Sequence, residues 1–299
     1  MKLLVTTSKS ILVIDADNGR TEIKDTGKGL YYGIAYNKKK LFIAARRSTD
    51  CFDYLDKLHQ ERGEILVFDS QLKLINTISA PFPLKDMHQI LYFDDKLWVT
   101  CTYDNMVAIY DFKQWQRWYP SGNITERGKD IHHFNSLYYD GNDLYVLAHN
   151  FGPSQIWRFS YPDLHLKETL AIGHQAHNIW RADNELYVCD SQNGMVVGDK
   201  GTRQSIGGFS RGSVVTDQRI YIGSSDIAER VERHEVNSRI LVFDRKWKQK
   251  DEWVIRGHGQ ILDIRMPGIR DYCVPGMTGE KICTPGWLDL LRKFTGQQR

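Results

Sequence analysis

One pattern returns along this chain at a spacing of about 45 residues. It is an apolar strand, a tight polar turn, and a second strand with an aromatic residue at its centre. The second strands read Leu41-Phe42-Ile43, Leu97-Trp98-Val99, Leu144-Tyr145-Val146, Leu186-Tyr187-Val188 and Ile220-Tyr221-Ile222. A further strand ends in an apolar or aromatic residue followed by aspartate: Ile14-Asp15, Phe68-Asp69, Tyr110-Asp111 and Phe243-Asp244. Short apolar runs punctuated by Gly, Asn, Asp and Ser predict strands rather than helices. A unit of this size cannot bury both faces of its own sheet, so several must pack side by side around an axis.

That reasoning predicts an all-β fold, a β-propeller of about six four-stranded blades. The chain begins at a second strand and carries a spare first strand near residues 260–265. Pairing of that strand with residues 3–7 would close the ring and hide two bare sheet edges. The propeller is expected to span residues 1–266. Residues 267–299 read as an extension with Pro-Gly at Pro267, Pro275 and Pro285. There Trp287, Leu290, Leu291 and Phe294 share one helical face, which predicts a short amphipathic helix packed on the propeller, with a protein partner as the other use of that face.

Composition narrows the functional classes. The 299 residues are 41% hydrophobic and 26% charged, ordinary for a globular chain, and the net charge of +3 is too small for a dedicated nucleic-acid binder. The five cysteines, Cys51, Cys101, Cys189, Cys273 and Cys283, are odd in number and scattered. That pattern predicts free thiols in a reducing compartment. No run has transmembrane length and no apolar leader stands at the start, so the expectation is a cytoplasmic protein without membrane contact.

Aligning the repeats on their second strands stacks the starts of the inner strands into one layer. That layer contains Tyr32-Gly33, His88-Gln89, His133-Phe134-Asn135, His177-Asn178, Arg211-Gly212 and His258-Gly259-Gln260. A radial fold converts one position per repeat into a ring, so His88, His133, His177 and His258 are expected to converge on the axis. Imidazole is the commonest ligand of zinc, iron and copper, and three or four histidines could hold such an ion. Gln89, Asn135, Asn178 and Gln260 would then orient the ligands or bind substrate. Loops on the same face add Asp104, His149 and Asp190 as candidate acids or bases, and Arg46 and Arg211 as candidate anion clamps. Two other readings stand beside this one: a polar ring that binds substrate without metal, and histidines that only brace the blades.

The repeats resemble the six-bladed propellers grouped as NHL, SMP-30 lactonase-like and arylsulfotransferase-like proteins. His133-Phe134-Asn135-Ser136 looks like the His-x-Asn-Ser found at an inner strand in the last group. Gly173-His174 and Gly257-His258 resemble the Gly-His element of WD repeats, where histidine is structural, although Phe-Asp or Tyr-Asp stands in place of Trp-Asp. Tyr32 with Arg211 is similar to the pair in propeller lyases that use a histidine-bound metal. The expectation is therefore a metal-dependent lyase or hydrolase (zinc, iron or manganese) with a small polar or anionic substrate at the channel mouth. The competing expectation is a non-catalytic propeller binding a protein or glycan on the same face.

Overall fold

A computed structural model describes residues 1–37, 39–46 and 61–274. It shows six sheets of four strands each. Blade 1 takes β1 (Lys2–Thr7), β2 (Ser10–Asp15) and β3 (Thr21–Thr26). Blade 2 is β4 (Leu30–Tyr36), β5 (Leu41–Arg46), β6 (Glu64–Phe68) and β7 (Leu74–Ile78). Blade 3 is β8 (Met87–Phe93), β9 (Lys96–Cys101), β10 (Met106–Tyr110) and β11 (Trp115–Trp118). Blade 4 is β12 (Phe134–Tyr139), β13 (Asp143–Ala148), β14 (Pro153–Ser160) and β15 (Leu166–His174). Blade 5 is β16 (His177–Ala182), β17 (Glu185–Asp190), β18 (Met195–Gly198) and β19 (Arg203–Ser205). Blade 6 is β20 (Phe209–Val215), β21 (Arg219–Ser225), β22 (Ser238–Asp244) and β23 (Gln249–Ile255).

The last strand, β24 (Ile261–Arg265), returns to blade 1 and pairs antiparallel with β1, Val5 opposite Ile264. The expected six-bladed, terminus-closed propeller is thus the observed fold. Around the axis the inner strands run β24, β4, β8, β12, β16, β20 and back to β24. The aromatic centres of the second strands, Phe42, Trp98, Tyr145, Tyr187 and Tyr221, are buried. They fill the wedges between neighbouring sheets, where a ring buries a large area against two blades at once.

The recurrent aspartates explain how the outer strands turn. Asp69 Oδ1 accepts the N–H groups of Gln71 and Lys73 at 2.8 and 2.9 Å, and Asp111 Oδ1 those of Lys113 and Gln114 at 2.9 and 2.7 Å. Asp244 does the same for Lys246 and Lys248. Each carboxylate stands in for a backbone carbonyl and shapes the hairpin from third to fourth strand, the ordinary use of Asp at a turn.

Blades touch closely where side chains vanish. A Cβ on Gly33 would lie 2.6 Å from Gln89 Cα of the next blade, so only glycine lets β4 approach β8. Beyond β24 the chain crosses blade 6: Tyr272 N–H donates to Val215 O at 2.8 Å, and Asp271 Oδ1 accepts from Val215 N–H at 3.1 Å. Among the described residues, no helix is long and apolar enough to cross a membrane. The amphipathic helix expected at residues 287–294, and Cys51 and Cys283, lie outside the described residues.

Candidate metal centre and channel mouth

All six inner strands break register with their neighbour at one height. The breaks fall between Tyr31 and Ile34, Met87 and Ile90, Phe134 and Ser136, His177 and Ile179, and Ser210 and Ser213. In blade 1 the break lies between Thr6 and Thr7, opposite Leu262. The extra residue in such a bulge leaves the ladder and its side chain is re-aimed. Tyr32, His88 and Arg211 are bulge residues, and His133 stands just before its bulge with a left-handed φ of 50°. Six bulges at one level thus turn strand residues into a ring around the channel.

Three of the expected histidines meet there, joined by His149, which follows β13. His88 and His133 lie edge to face with centroids 4.8 Å apart, and His88 stacks on His177 at 6.2 Å. His149 bridges the group, 4.8 Å from His133 and 5.3 Å from His177. Tyr32 packs on His88 at 4.9 Å, with the Arg211 guanidinium 5.0 Å from the tyrosine ring.

Hydrogen-bond partners assign the tautomers. His133 Nδ1 faces both oxygens of Asp130 at 2.9 and 3.0 Å, and His88 Nδ1 faces the Asp86 carbonyl at 3.0 Å. Oxygens of these kinds only accept, so both Nδ1 atoms carry hydrogen. His177 Nδ1 lies 2.9 Å from Ser191 Oγ, whose own hydrogen goes to Ser210 O at 2.6 Å, so it too is a donor. In the neutral rings the Nε2 atoms of all three are then lone pairs. His149 is the reverse: its Nδ1 accepts the Phe151 N–H at 3.1 Å, which leaves the hydrogen of a neutral ring on Nε2. Burial holds His88 and His177 well below the ordinary histidine pKa and favours these neutral forms.

The Nε2 atoms of His88 and His133 point at each other across 3.3 Å. Two lone pairs at that distance repel unless a metal ion lies between or beside them, or His133, paired with Asp130, carries a second proton and donates it to His88. Tetrahedral Zn–N bonds of about 2.0–2.1 Å put two ligand nitrogens roughly 3.3–3.4 Å apart, so the spacing fits a shared ion. Asp86, His88 and His133 bring candidate ligand atoms within 4.8 Å of one another. Asp86, however, meets His88 on its Nδ1 side, Oδ1 at 3.5 Å, and so serves the ring's orientation rather than the Nε2 gap.

Behind this pair lies a buried ionic knot. Arg46 is fully buried; its Nε donates to Glu61 Oε1 at 2.6 Å, its Nη2 to Glu61 Oε2 at 2.8 Å, and its Nη1 to Asp86 Oδ1. Burial would raise the Asp86 pKa, but Arg46 and the nearby histidines hold it well below the carboxylate range. Arg46, expected as an anion clamp at the mouth, is instead held between two carboxylates away from the cavity.

The amides expected at the substrate tie blade to blade one layer deeper. Gln89 Oε1 accepts Leu137 N–H, and Asn178 Oδ1 accepts Gly212 N–H at 2.8 Å. Asn135 Nδ2 donates to Ala176 O at 2.8 Å while its oxygen accepts from Ser136 Oγ. Asp263 continues the series, accepting Ile34 N–H at 2.9 Å. Gln260 does line the cavity. His258 does not: flanked by Gly257 and Gly259, both at positive φ, it turns outward and meets Ser10 Oγ at 3.0 Å. Asp104 is buried in the turn after β9, 3.7 Å from Arg127, and Asp190 accepts from His174 N–H at the end of β15 in the neighbouring blade and from Asn193 Nδ2 of its own turn.

The cavity over the histidines has a volume of about 260 Å³. Its walls include Phe151, Gln175 and Phe209, and Arg233 and His234 from the insertion between β21 and β22. None of these was singled out from sequence, nor were Asp86 and Asp130. The signal was present in Asp86-Met87-His88 and Asp130-Ile131-His132-His133, an acid two or three residues ahead of a channel histidine in adjacent blades. His132 points away, stacking on Phe134 at 5.0 Å with Glu126 at 3.2 Å.

No family model matches the chain, and no curated protein matches it. Many solved structures share its shape. A Bacteroides caccae protein of unknown function superposes with a TM-score of 0.62 at 13% identity, covering 88% of this chain and 97% of that one. A chain of the nidogen/laminin complex gives 0.63 at 10% identity with the same coverages. Virginiamycin B lyase from Staphylococcus aureus gives 0.48 at 13% identity, covering 76% and 69%. At such identities the first two establish the six-bladed propeller fold and nothing narrower.

Proposed function

We propose that this chain is a metal-dependent propeller enzyme, a lyase or hydrolase that acts on a small polar or anionic substrate at the channel mouth. The observation that carries the reading is the 3.3 Å approach of two Nε2 atoms, of His88 and His133, each with its Nδ1 engaged by an oxygen acceptor. Such partners fix ring orientation and raise ligand basicity at histidine metal sites. His177, with the same tautomer, stacks on His88 at 6.2 Å and stands outside the group of atoms within ligand reach of the pair. A divalent transition metal at such a site would polarise a carbonyl or lower the pKa of a water.

The protein's own groups divide the remaining work. His149, with its hydrogen on Nε2, is poised to donate a proton on the mouth side of the cluster. Arg211 supplies positive charge to the substrate, and Tyr32 packs between Arg211 and His88. The buried free thiols of Cys101, Cys189 and Cys273 support a reducing, cytoplasmic setting.

Elemental analysis of the purified protein tests the reading. Zinc, iron or manganese near one equivalent is expected, lost in His88→Ala and His133→Ala and retained in His258→Ala. Absence of metal, together with a melting temperature indifferent to added zinc, iron and manganese, would leave the non-catalytic partner-binding module as the better description.

A further inference from the structure

We infer that the cavity takes a small organic carboxylate, its anionic group held by Arg211 and its apolar body lodged against Phe151 and Phe209. This deepens the enzyme reading above and rests on it for the reaction, though not for binding.

The first argument is charge. Among the described residues lining the cavity there are two arginines and five histidines, and no aspartate or glutamate. Arg211 is 6% exposed, and burial lowers its pKa. Its Nε donates to Leu262 O at 3.1 Å, its guanidinium carbon lies 5.0 Å from the centre of the Tyr32 ring, and the nearby carboxylates of Asp263 and Asp86 act on its charge without forming a described ion pair. A buried guanidinium whose nearest carboxylates stand beyond ion-pair distance is costly, and a carboxylate that arrives with the ligand would offset that cost. With Nε anchored to a carbonyl, the two Nη groups keep the fork that matches a planar carboxylate.

The second argument is shape. Phe151 stands over His133 and His149 at 4.9 and 5.4 Å, and Phe209 over His177 at 5.5 Å with Arg233 5.6 Å from its ring. Phe151 is 48% exposed. A large apolar ring left in water at the rim of a polar cavity is the feature that a ligand's apolar body would cover. The volume of about 260 Å³ lies just under the usual range of about 300–1,000 Å³ for ligand sites. That size suits one acid of modest bulk rather than a polymer.

Calorimetric titration with benzoate, benzamide and acetate tests this on the protein as purified and after exhaustive chelation, with metal content measured on both. Benzoate is expected to bind at least ten-fold tighter than benzamide, which keeps the ring and loses the charge, and tighter than acetate, which keeps the charge and loses the ring. Arg211→Gln should erase the preference for benzoate over benzamide, and Phe151→Ala should weaken benzoate while leaving acetate unchanged. Equal affinity for benzoate and benzamide, equal affinity for benzoate and acetate, or no binding of any of the three would overturn the inference. Should Arg211→Gln fail to fold, the wild-type ratios and the Phe151 variant decide it. Benzoate binding to protein that carries no metal as purified would sink the metal reading and leave this one standing; metal in the purified protein without carboxylate binding would do the converse.

Discussion

Both carboxylate oxygens of Asp130 lie on Nδ1 of His133, at 2.9 and 3.0 Å, although Asp130 belongs to the loop before β12 and not to the sheet. The carboxylate therefore sets which nitrogen of His133 faces His88. Asp130→Asn keeps the size but removes the charge and blurs the tautomer. Metal affinity, measured by chelator competition, should fall by about 10–100-fold. Unchanged affinity would mean that the ring is held in place by packing alone.

The Arg46 knot predicts a stability effect separable from metal. Arg46→Met leaves Glu61 and Asp86 buried without their cation. Urea denaturation of metal-free protein at pH 7 should show a loss of about 3–5 kcal/mol. Because the orphaned carboxyls can take up protons, the deficit should shrink at pH 5. A loss below about 1 kcal/mol at pH 7 would show that the knot relaxes to water.

Asn178 predicts an ordering of variants. Its backbone φ is 56°, and its side chain accepts Gly212 N–H of the next blade. Asn178→Gly tolerates that φ and reports the lost inter-blade bond, about 1–3 kcal/mol. Asn178→Ala adds left-handed strain and should be the less stable of the two, reversing the usual Ala-over-Gly order. The melting temperatures of the pair check it.

Asp271 predicts a pH dependence. Burial raises its pKa from 3.8 to about 6, against the opposing pull of Arg265 and of the Cys273 and Val215 N–H groups. A folded pKa above the unfolded one stabilises the protein fully below about pH 4, and that contribution disappears as pH rises through about 6. The wild type should therefore lose at most about 3 kcal/mol across that window relative to Asp271→Asn, which cannot ionise. Denaturant midpoints of both proteins from pH 4 to 7 measure the difference; parallel curves would mean that Asp271 titrates alike folded and unfolded.

The blade count and the closing strand were legible because a radial repeat turns sequence register directly into position around a ring. Height along the channel was legible for His88, His133 and His177, which sit at or beside the start of inner strands. It failed for His258, which falls between two glycines before β24 begins, so that the loop rather than the strand decides its direction. The bulges were not legible, since one extra residue in a strand leaves no mark on an apolar pattern. They decide that Gln89 and Asn178 reach sideways to the next blade instead of up to the mouth. Arg46 looked like a loop cation because its partner Glu61 lies 15 residues on, across an insertion of indifferent composition. Phe151 and Phe209 were unremarked for the opposite reason: a phenylalanine in a β-rich chain is expected in the core.

The pairing of β24 with β1 has a consequence for how the molecule is made. Gln260 and Leu262 line the cavity, and Leu262 supplies the carbonyl that anchors Arg211, so the floor of the site is written in the closing segment of the ring. During synthesis blades 2 to 6 can form in order, yet the first three strands must wait for the last one to emerge. Until then β1 offers an unpaired edge, the form most prone to join another chain. A product released short of Arg265 would lack both the closed ring and the floor of the cavity, so the same few residues complete the fold and shield its edge from other chains.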